Sequence, residues 1–247
     1  MPGTIHMPSI AEIVCTANHG RSPLAEAFGR RILNELGASG YYDTASGGTM
    51  AEQNAKGSAA IEAKIRMAGK ALRRMDVYSA AERATAEFAL GVRHETLLTP
   101  LYLKARAQFA EEERSFRKEA EGMYGLDGLV KQFPEQATCQ ENRVLVLAMG
   151  LSHLKAMMAL YREMPKPPVI MLLGDYALGM SHDCKPTNAV PDVFGGTREQ
   201  YLDCIGMVIE YTQSAMIRLF EEDPAGLVSK PLKAEFVVAQ ELVRQSN

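Results

Sequence analysis

The chain carries a thiol and a guanidinium six positions apart, Cys15 and Arg21, with Ser22 and Pro23 directly after. A thiolate and a guanidinium facing one small loop suit nucleophilic attack on a phosphate ester. A thiol attacks poorly until it ionises, and loop amides, a helix N-terminus and a nearby arginine all favour the thiolate. The same amides, those of Thr16, Ala17, Asn18, His19 and Gly20, would bind phosphate oxygens, because unsatisfied N–H groups and the helix dipole converge there. Arg21 is expected to hold two oxygens in a bidentate fork that Lys could not reproduce, and its charge counts most as the phosphoryl group nears its transition state. Ser22 is placed to donate to the Cys15 sulfur and help the thiolate leave in a second step. Asn18 is placed to brace the loop through side-chain to backbone hydrogen bonds, and Gly20 to adopt backbone angles that a side chain would forbid.

Such chemistry also needs an acid to protonate the leaving oxygen. The best candidate is Asp192, in the Pro/Gly-rich stretch Val190–Thr197 that precedes a helical pattern at Tyr201, Ile205, Val208 and Ile209. Loops carry catalytic groups more often than cores do, although an aspartate in such a loop also serves as a turn or cap residue.

These groups need elements to position them. Ile10–Val14 reads as a short buried strand ending at Cys15,. Ser22 before Pro23, with Glu26 about one turn in, predicts a helix start with a capping hydroxyl. Leu24, Ala27, Phe28, Ile32 and Leu36 recur at helical spacing and Gly37 closes the segment. Further strands are expected over 41–45, 143–149 and 168–174, and helices over 22–36, 52–74, 151–163 and 197–221. This alternation predicts an α/β fold, a parallel four-stranded sheet flanked by helices. In such a sheet the site belongs at the carboxyl end of a strand, where Cys15 falls.

The whole chain, 1–247, reads as one α/β domain, with residues 75–140 as a helical insertion and 223–247 as a C-terminal helical extension. Helices are expected at 80–90 and 101–124. The charged run 111–121 reads as a solvated helix face with i,i+4 pairs such as Glu113–Arg117,. The sharper reading makes the insertion a cap, a lid or an arm that docks a protein partner. Leu97, Leu98, Leu101, Tyr102 and Phe109 supply either an apolar contact stripe or burial against the core,.

The chain is 247 residues long and 47% hydrophobic, with a net charge of −3. That length buries a substantial core, and the charge implies no bulk attraction to nucleic acid or an anionic membrane. The N-terminal residues are too short and polar for a signal peptide, and no apolar run approaches the ~20 residues of a membrane span. Cys139, Cys184 and Cys204 are scattered, which fits reduced, mostly buried thiols in a cytoplasm,. His6, His94, His153 and His182 lack metal spacing, and no metal or cofactor is expected,.

The run Cys15, Arg21, Ser22, Pro23, Leu24, Ala25 and Glu26 resembles the signature of the low-molecular-weight protein tyrosine phosphatases. Other pieces occur in that family's order. Ala45–Thr49 is similar to the segment after its second strand, Val144–Met149 with Ser152-His153-Leu154 to its third strand and following helix, Val169–Asp175 to its fourth strand, and Asp192–Gly196 with Tyr201 to its general-acid loop. The resemblance implies a nucleophilic Cys15, a phosphate-binding Arg21, loop-supporting Asn18, Ser22 and Ser46, a general acid at Asp192, and a phosphorylated protein or small phosphate ester as substrate. Departures accompany it. Gly20 stands where the family usually has a second cysteine, so the protective disulfide of that family is absent. Ala17 replaces a loop glycine, His19 occupies a position that partly sets substrate choice, Val193 replaces a proline, and Phe194 is a single aromatic where many members carry two. Phosphotyrosine in proteins is the first substrate expected, with phosphoarginine and small phosphate esters open. An arsenate reductase, which needs further cysteines as a disulfide relay, and a non-catalytic phosphate-binding or interaction module are the alternatives.

Overall fold

The computed structural model describes residues 8–51, 59–224 and 226. Four parallel strands form one sheet in the order β2-β1-β3-β4: β1 is Ser9–Cys15, β2 Tyr42–Gly48, β3 Arg143–Ala148 and β4 Val169–Leu172. The α/β class and the parallel four-stranded sheet flanked by helices are as the alternation predicts. Seven helices lie among the described residues: α1 Arg21–Glu35, α2 Ile61–Leu72, α3 Ala80–Gly91, α4 Glu95–Met123, α5 Leu151–Leu160, α6 Leu173–Ala177 and α7 Arg198–Glu222. The N-terminal residues 1–7, the start of the helix expected over 52–74, and most of the tail from 223 lie outside the described residues.

Alternation along the strands sets the two faces of the sheet. Ala11, Ile13 and Cys15 of β1, with Leu145 and Leu147 of β3, point into the main core under α1 and α7. Val14 and Val146 point the other way, onto Met157 and Tyr161 at the end of α5. Cys15 is therefore delivered at the carboxyl end of a central strand, toward the helix that follows it.

Several element boundaries depart from expectation. β2 runs on through Ser46 to Gly48, because these small residues pair with Ile13, Val14 and Cys15, and Gly48 also exchanges hydrogen bonds with the backbone of Glu135 and Ala137. β4 stops at Leu172 and the apolar run turns into α6. An apolar run this short does not separate strand from helix by period. Here the buried Asp175 of α6 accepts from the backbone of Thr187 and Asn188, which ties the helical turn to the following loop. α7 opens with a capping box between Thr197 and Gln200,.

Between α2 and β3 the chain builds a second layer in which α4 packs on α2 and α3. Ala71, Val77, Tyr78, Ala86, Leu101, Ala105 and Phe109 form one small core there, and Ala68, Ala89 and Leu98 another. Alanines at these contacts let the helices approach closely. Leu98, Leu101, Tyr102 and Phe109 are buried and Leu97 is half-buried, so the stripe is covered by the layer itself rather than presented to a partner. The charged run 111–121 is not uniformly solvated either. Arg117 and Glu121 are buried and pair with each other, Nε to Oε1 at 2.7 Å, in place of the expected Glu113–Arg117 pair.

Candidate active site

Cys15 ends β1, and the loop Thr16–Gly20 leads straight into α1. The turn depends on Asn18, whose φ of 55° is a left-handed conformation that asparagine tolerates,. Its backbone N–H lies 3.2 Å from Cys15 Sγ. Its side-chain amide donates to the carbonyls of Ser46 and Glu135, both at 3.3 Å, and its Oδ1 accepts from the Ser22 hydroxyl at 2.9 Å. The same hydroxyl lies 2.9 Å from Cys15 Sγ. With the Ser22 proton given to Asn18 Oδ1, the Asn18 N–H is the donor that faces the sulfur.

Two expectations are corrected here. Ser22 is the second residue of α1 rather than its cap. The helix starts at Arg21 with Gly20 before it and no capping side chain, because the Ser22 hydroxyl is taken by Asn18 and the thiol. Gly20 has a φ of −112°, so no left-handed conformation demands a glycine here. Space does: a Cβ there would lie 2.7 Å from Glu113 Oε1 and 3.1 Å from the Tyr201 hydroxyl. Ser46 reaches the loop through its carbonyl, while its hydroxyl donates to Glu26 Oε2 at 2.6 Å.

Arg21 is buried. Its Nη1 donates to the Pro191 carbonyl at 2.7 Å and its Nη2 lies 3.5 Å from Asp192 Oδ1, so the loop after Cys15 and the Asp192 loop meet at one guanidinium. Lys70, in the last turn of α2, donates to Asp192 Oδ2 at 3.2 Å and to the Phe194 carbonyl at 2.7 Å. Partial burial alone would raise the Asp192 pKa, but Lys70 and Arg21 outweigh it and hold the carboxyl below its ordinary value,. Phe194 sets its ring edge-on to Phe109 of α4, 6.1 Å between centroids at 85°. Gly195 is obligatory on two counts: its φ is +76°, and a Cβ would lie 2.6 Å from the Phe109 ring,.

These residues share one cavity of about 1250 Å³, lined by Cys15, Thr16, Ala17, His19, Gly20, Arg21, Asp192 and Phe194. Asn18 and Ser46 lie beneath it, and His19 sits exposed at the rim. The fold adds residues that the motif does not name. His153, on α5 just past the carboxyl end of β3, places Nε2 2.8 Å from Thr16 Oγ1, and its buried Nδ1 has no hydrogen-bond partner. Burial, with Arg21 beside it, pushes its pKa down to about 4. Arg117 of α4 donates to the His19 carbonyl at 2.6 Å and the Lys131 carbonyl at 2.8 Å, tying the second layer to the Thr16–Gly20 loop. Glu113, one turn earlier, faces the loop at Gly20, and burial pushes its pKa up to about 7. For His153, position after a central strand is a usable signal. For Glu113 and Arg117 the sequence shows only a charged helix.

No protein-family model matches this sequence, and no curated protein matches it. Solved structures do. A protein tyrosine phosphatase from Entamoeba histolytica, with Hepes in its active site, is 14% identical with a TM-score of 0.51, covering 87% of this chain and 99% of that one. The YwlE arginine phosphatase of Bacillus subtilis, in a form with a phosphorylated active-site serine, is 18% identical with a TM-score of 0.50, covering 85% and 95%. The fold is the low-molecular-weight phosphatase fold. Wzb of Vibrio vulnificus, in complex with benzylphosphonate, is also similar, 16% identical with a TM-score of 0.49 over 85% of this chain and 99% of that one. Within this phosphatase fold the first strand, its loop and the helix after it are the elements that carry Cys15 and Arg21 here. Lys70, Phe109, Glu113 and Arg117 approach that loop from the α2–α4 layer. No helix among the described residues is long and apolar enough to cross a membrane.

Proposed function

We propose that this chain is a phosphomonoesterase that works through a cysteinyl-phosphate intermediate. The observation that carries the reading is the convergence of Cys15 Sγ, the Arg21 guanidinium and the Asp192 carboxyl on one cavity. In the first step the Cys15 thiolate attacks phosphorus in line, the S–P bond forms, and the bond to the ester oxygen breaks. Loop amides and Arg21 take up the charge of the phosphoryl oxygens. A carboxylic acid on the cavity protonates the leaving oxygen, the role read for Asp192, and its carboxylate then removes a proton from the water that attacks phosphorus. The thiolate departs beside the Ser22 hydroxyl, and phosphate is released.

The substrate class first proposed is phosphotyrosine in proteins, with phosphoarginine and small aryl phosphates in the same test. The wide cavity and Phe194 at its side suit an aryl ester. Residues 75–140 are read as an insertion within a single phosphatase-like unit, roofing the site. An arsenate-reducing relay finds less support. Cys139 and Cys184 are exposed, contrary to the expectation of mostly buried thiols, and Cys204 is buried with Sγ 3.6 Å from the Pro191 carbonyl. The test is turnover of phosphotyrosine, phosphoserine, phosphoarginine and aryl phosphates by purified protein, with arsenate-dependent thiol oxidation measured beside it. Cys15→Ser is expected to abolish aryl-phosphate hydrolysis and retain phosphate binding. Unchanged turnover in that variant would sink the reading. Asp192→Asn is expected to slow aryl-phosphate hydrolysis substantially, and near-wild-type rates would point to another acid on the cavity.

A further inference from the structure

The α2–α4 layer brings a second carboxyl to the mouth of the phosphate loop. Glu113 projects from α4 one turn before Arg117, whose hydrogen bond to the His19 carbonyl anchors the helix on the loop. Its Oε1 occupies the space where a Cβ on Gly20 would sit, at 2.7 Å, next to the residue that carries the phosphate-binding guanidinium. Among the described residues the Glu113 carboxyl has no hydrogen-bond or ion-pair partner. The bare backbone of Gly20 is what leaves room for it.

The two carboxyls on the cavity differ in their company. Asp192 lies between two cations, Lys70 Nζ at 3.2 Å and Arg21 Nη2 at 3.5 Å, and so favours the ionised form. Glu113 is half-buried among protein groups at the cavity wall and meets Asp192 as a like charge. Arg21 from α1, Lys70 from α2, Arg117 from its own helix and the Tyr201 hydroxyl from α7 also face it. Two carboxyls held in unlike environments rest in different protonation states, the ionised one beside cations and the protonated one in the more enclosed position.

We propose that Glu113 is a second catalytic residue of this site, the carboxylic acid that gives its proton to the leaving-group oxygen in place of Asp192, which its two cations hold ionised. The proposal rests on the phosphatase reading above. As the Cys15 S–P bond forms and the ester P–O bond breaks, the departing oxygen takes the Glu113 proton and leaves a carboxylate. When water attacks phosphorus and the S–P bond breaks, that carboxylate takes up a proton from the water. The pair ends the cycle as it began. The position of the Glu113 pKa, about 7, leaves an appreciable protonated fraction at neutral pH.

Glu113→Gln keeps the shape and removes the proton. The experiment compares kcat/KM for phenyl phosphate, a poor leaving group, with that for 2,4-dinitrophenyl phosphate, which departs without a proton. The variant is expected to lose roughly 100-fold on the first ester and less than about fivefold on the second, since general acid catalysis contributes on the order of 10²-fold or more where the leaving group needs it. Inhibition by inorganic phosphate and the thermal unfolding midpoint report whether the site is otherwise intact. Equal losses on both esters, or no loss on either, would overturn the role of Glu113 while leaving the phosphatase reading in place. If the wild-type chain hydrolyses neither ester above the Cys15→Ser background, the phosphatase reading falls and this role falls with it.

Discussion

Arg117→Met tests how the second layer holds the phosphate loop. Arg117 is buried, and its three nitrogens are spent on three acceptors: Nε on Glu121 Oε1 at 2.7 Å, Nη1 on the His19 carbonyl at 2.6 Å, and Nη2 on the Lys131 carbonyl at 2.8 Å. Methionine fills much of the same volume and serves none of them. Glu121, equally buried, is left as a charge without its cation. Breaking a buried pair from one side costs about 3–5 kcal/mol. Two stranded carbonyls add to that, each about 1–3 kcal/mol if no water replaces the donor. Solvent entering the cavity offsets part of the sum, so the expected loss is about 4 kcal/mol in urea unfolding, read from the midpoint at constant slope. Function separates the two parts of the effect. In Arg117→Met/Glu121→Leu the uncompensated charge is gone, and apolar replacement of a whole buried pair is near neutral or better. Stability should therefore return in part in the double variant, short of wild type by the cost of the two carbonyls left without a donor. The His19 carbonyl is still released, so phosphate inhibition should stay weakened in both variants, by roughly tenfold if one charge-assisted hydrogen bond of about 1.5 kcal/mol is at stake. A single variant within about 1 kcal/mol of wild type would refute the reasoning, as would a double variant no more stable than the single one.

Other expectations follow from the same geometry. Ser22→Ala removes the hydroxyl 2.9 Å from Cys15 Sγ, and breakdown of the phosphoenzyme should slow more than its formation, seen as a larger burst ahead of a slower steady state. His153 stays neutral in the fold down to about pH 4, whereas an unfolded histidine takes its proton near 6.5. The unfolded state thus binds more protons between those values and stability falls as pH drops from 6.5 to 4, by up to about 3 kcal/mol. Urea unfolding of His153→Asn at pH 7 and pH 4.5 should show that slope reduced. Gly20→Ala introduces a Cβ against the mobile end of Glu113, so unfolding should change little. The displaced carboxyl should cost turnover of phenyl phosphate more than of 2,4-dinitrophenyl phosphate, and equal effects on the two would argue that the glycine serves the loop alone.

What was legible in the sequence was local. Cys15 and Arg21 are six residues apart in one loop, and the apolar strand before them and the helical period after them follow from side-chain spacing, so their meeting at a strand end needs no distant contact. The alternation of strands and helices is of the same kind, and it led to the parallel sheet. Asp192 stands out by its Pro/Gly-rich loop before a helical pattern and by likeness to a motif, and nothing in its neighbours in the chain shows that Lys70 and Arg21 flank it.

Only the tertiary structure decided the rest. The run 111–121 has charges on every side of its helix, so periodicity does not say which face is covered. The second half of α4 packs on the main core through Ala120 and on Tyr201 of α7 through Phe116, and there Arg117 and Glu121 are buried and Glu113 faces the loop. Gly20 shows the division in one residue. In the sequence it reads as a flexible loop position and a missing thiol. In the fold its φ is ordinary, and its lack of a side chain makes room for a carboxyl that arrives from a helix more than ninety residues away, a space requirement that exists only once the layers are packed.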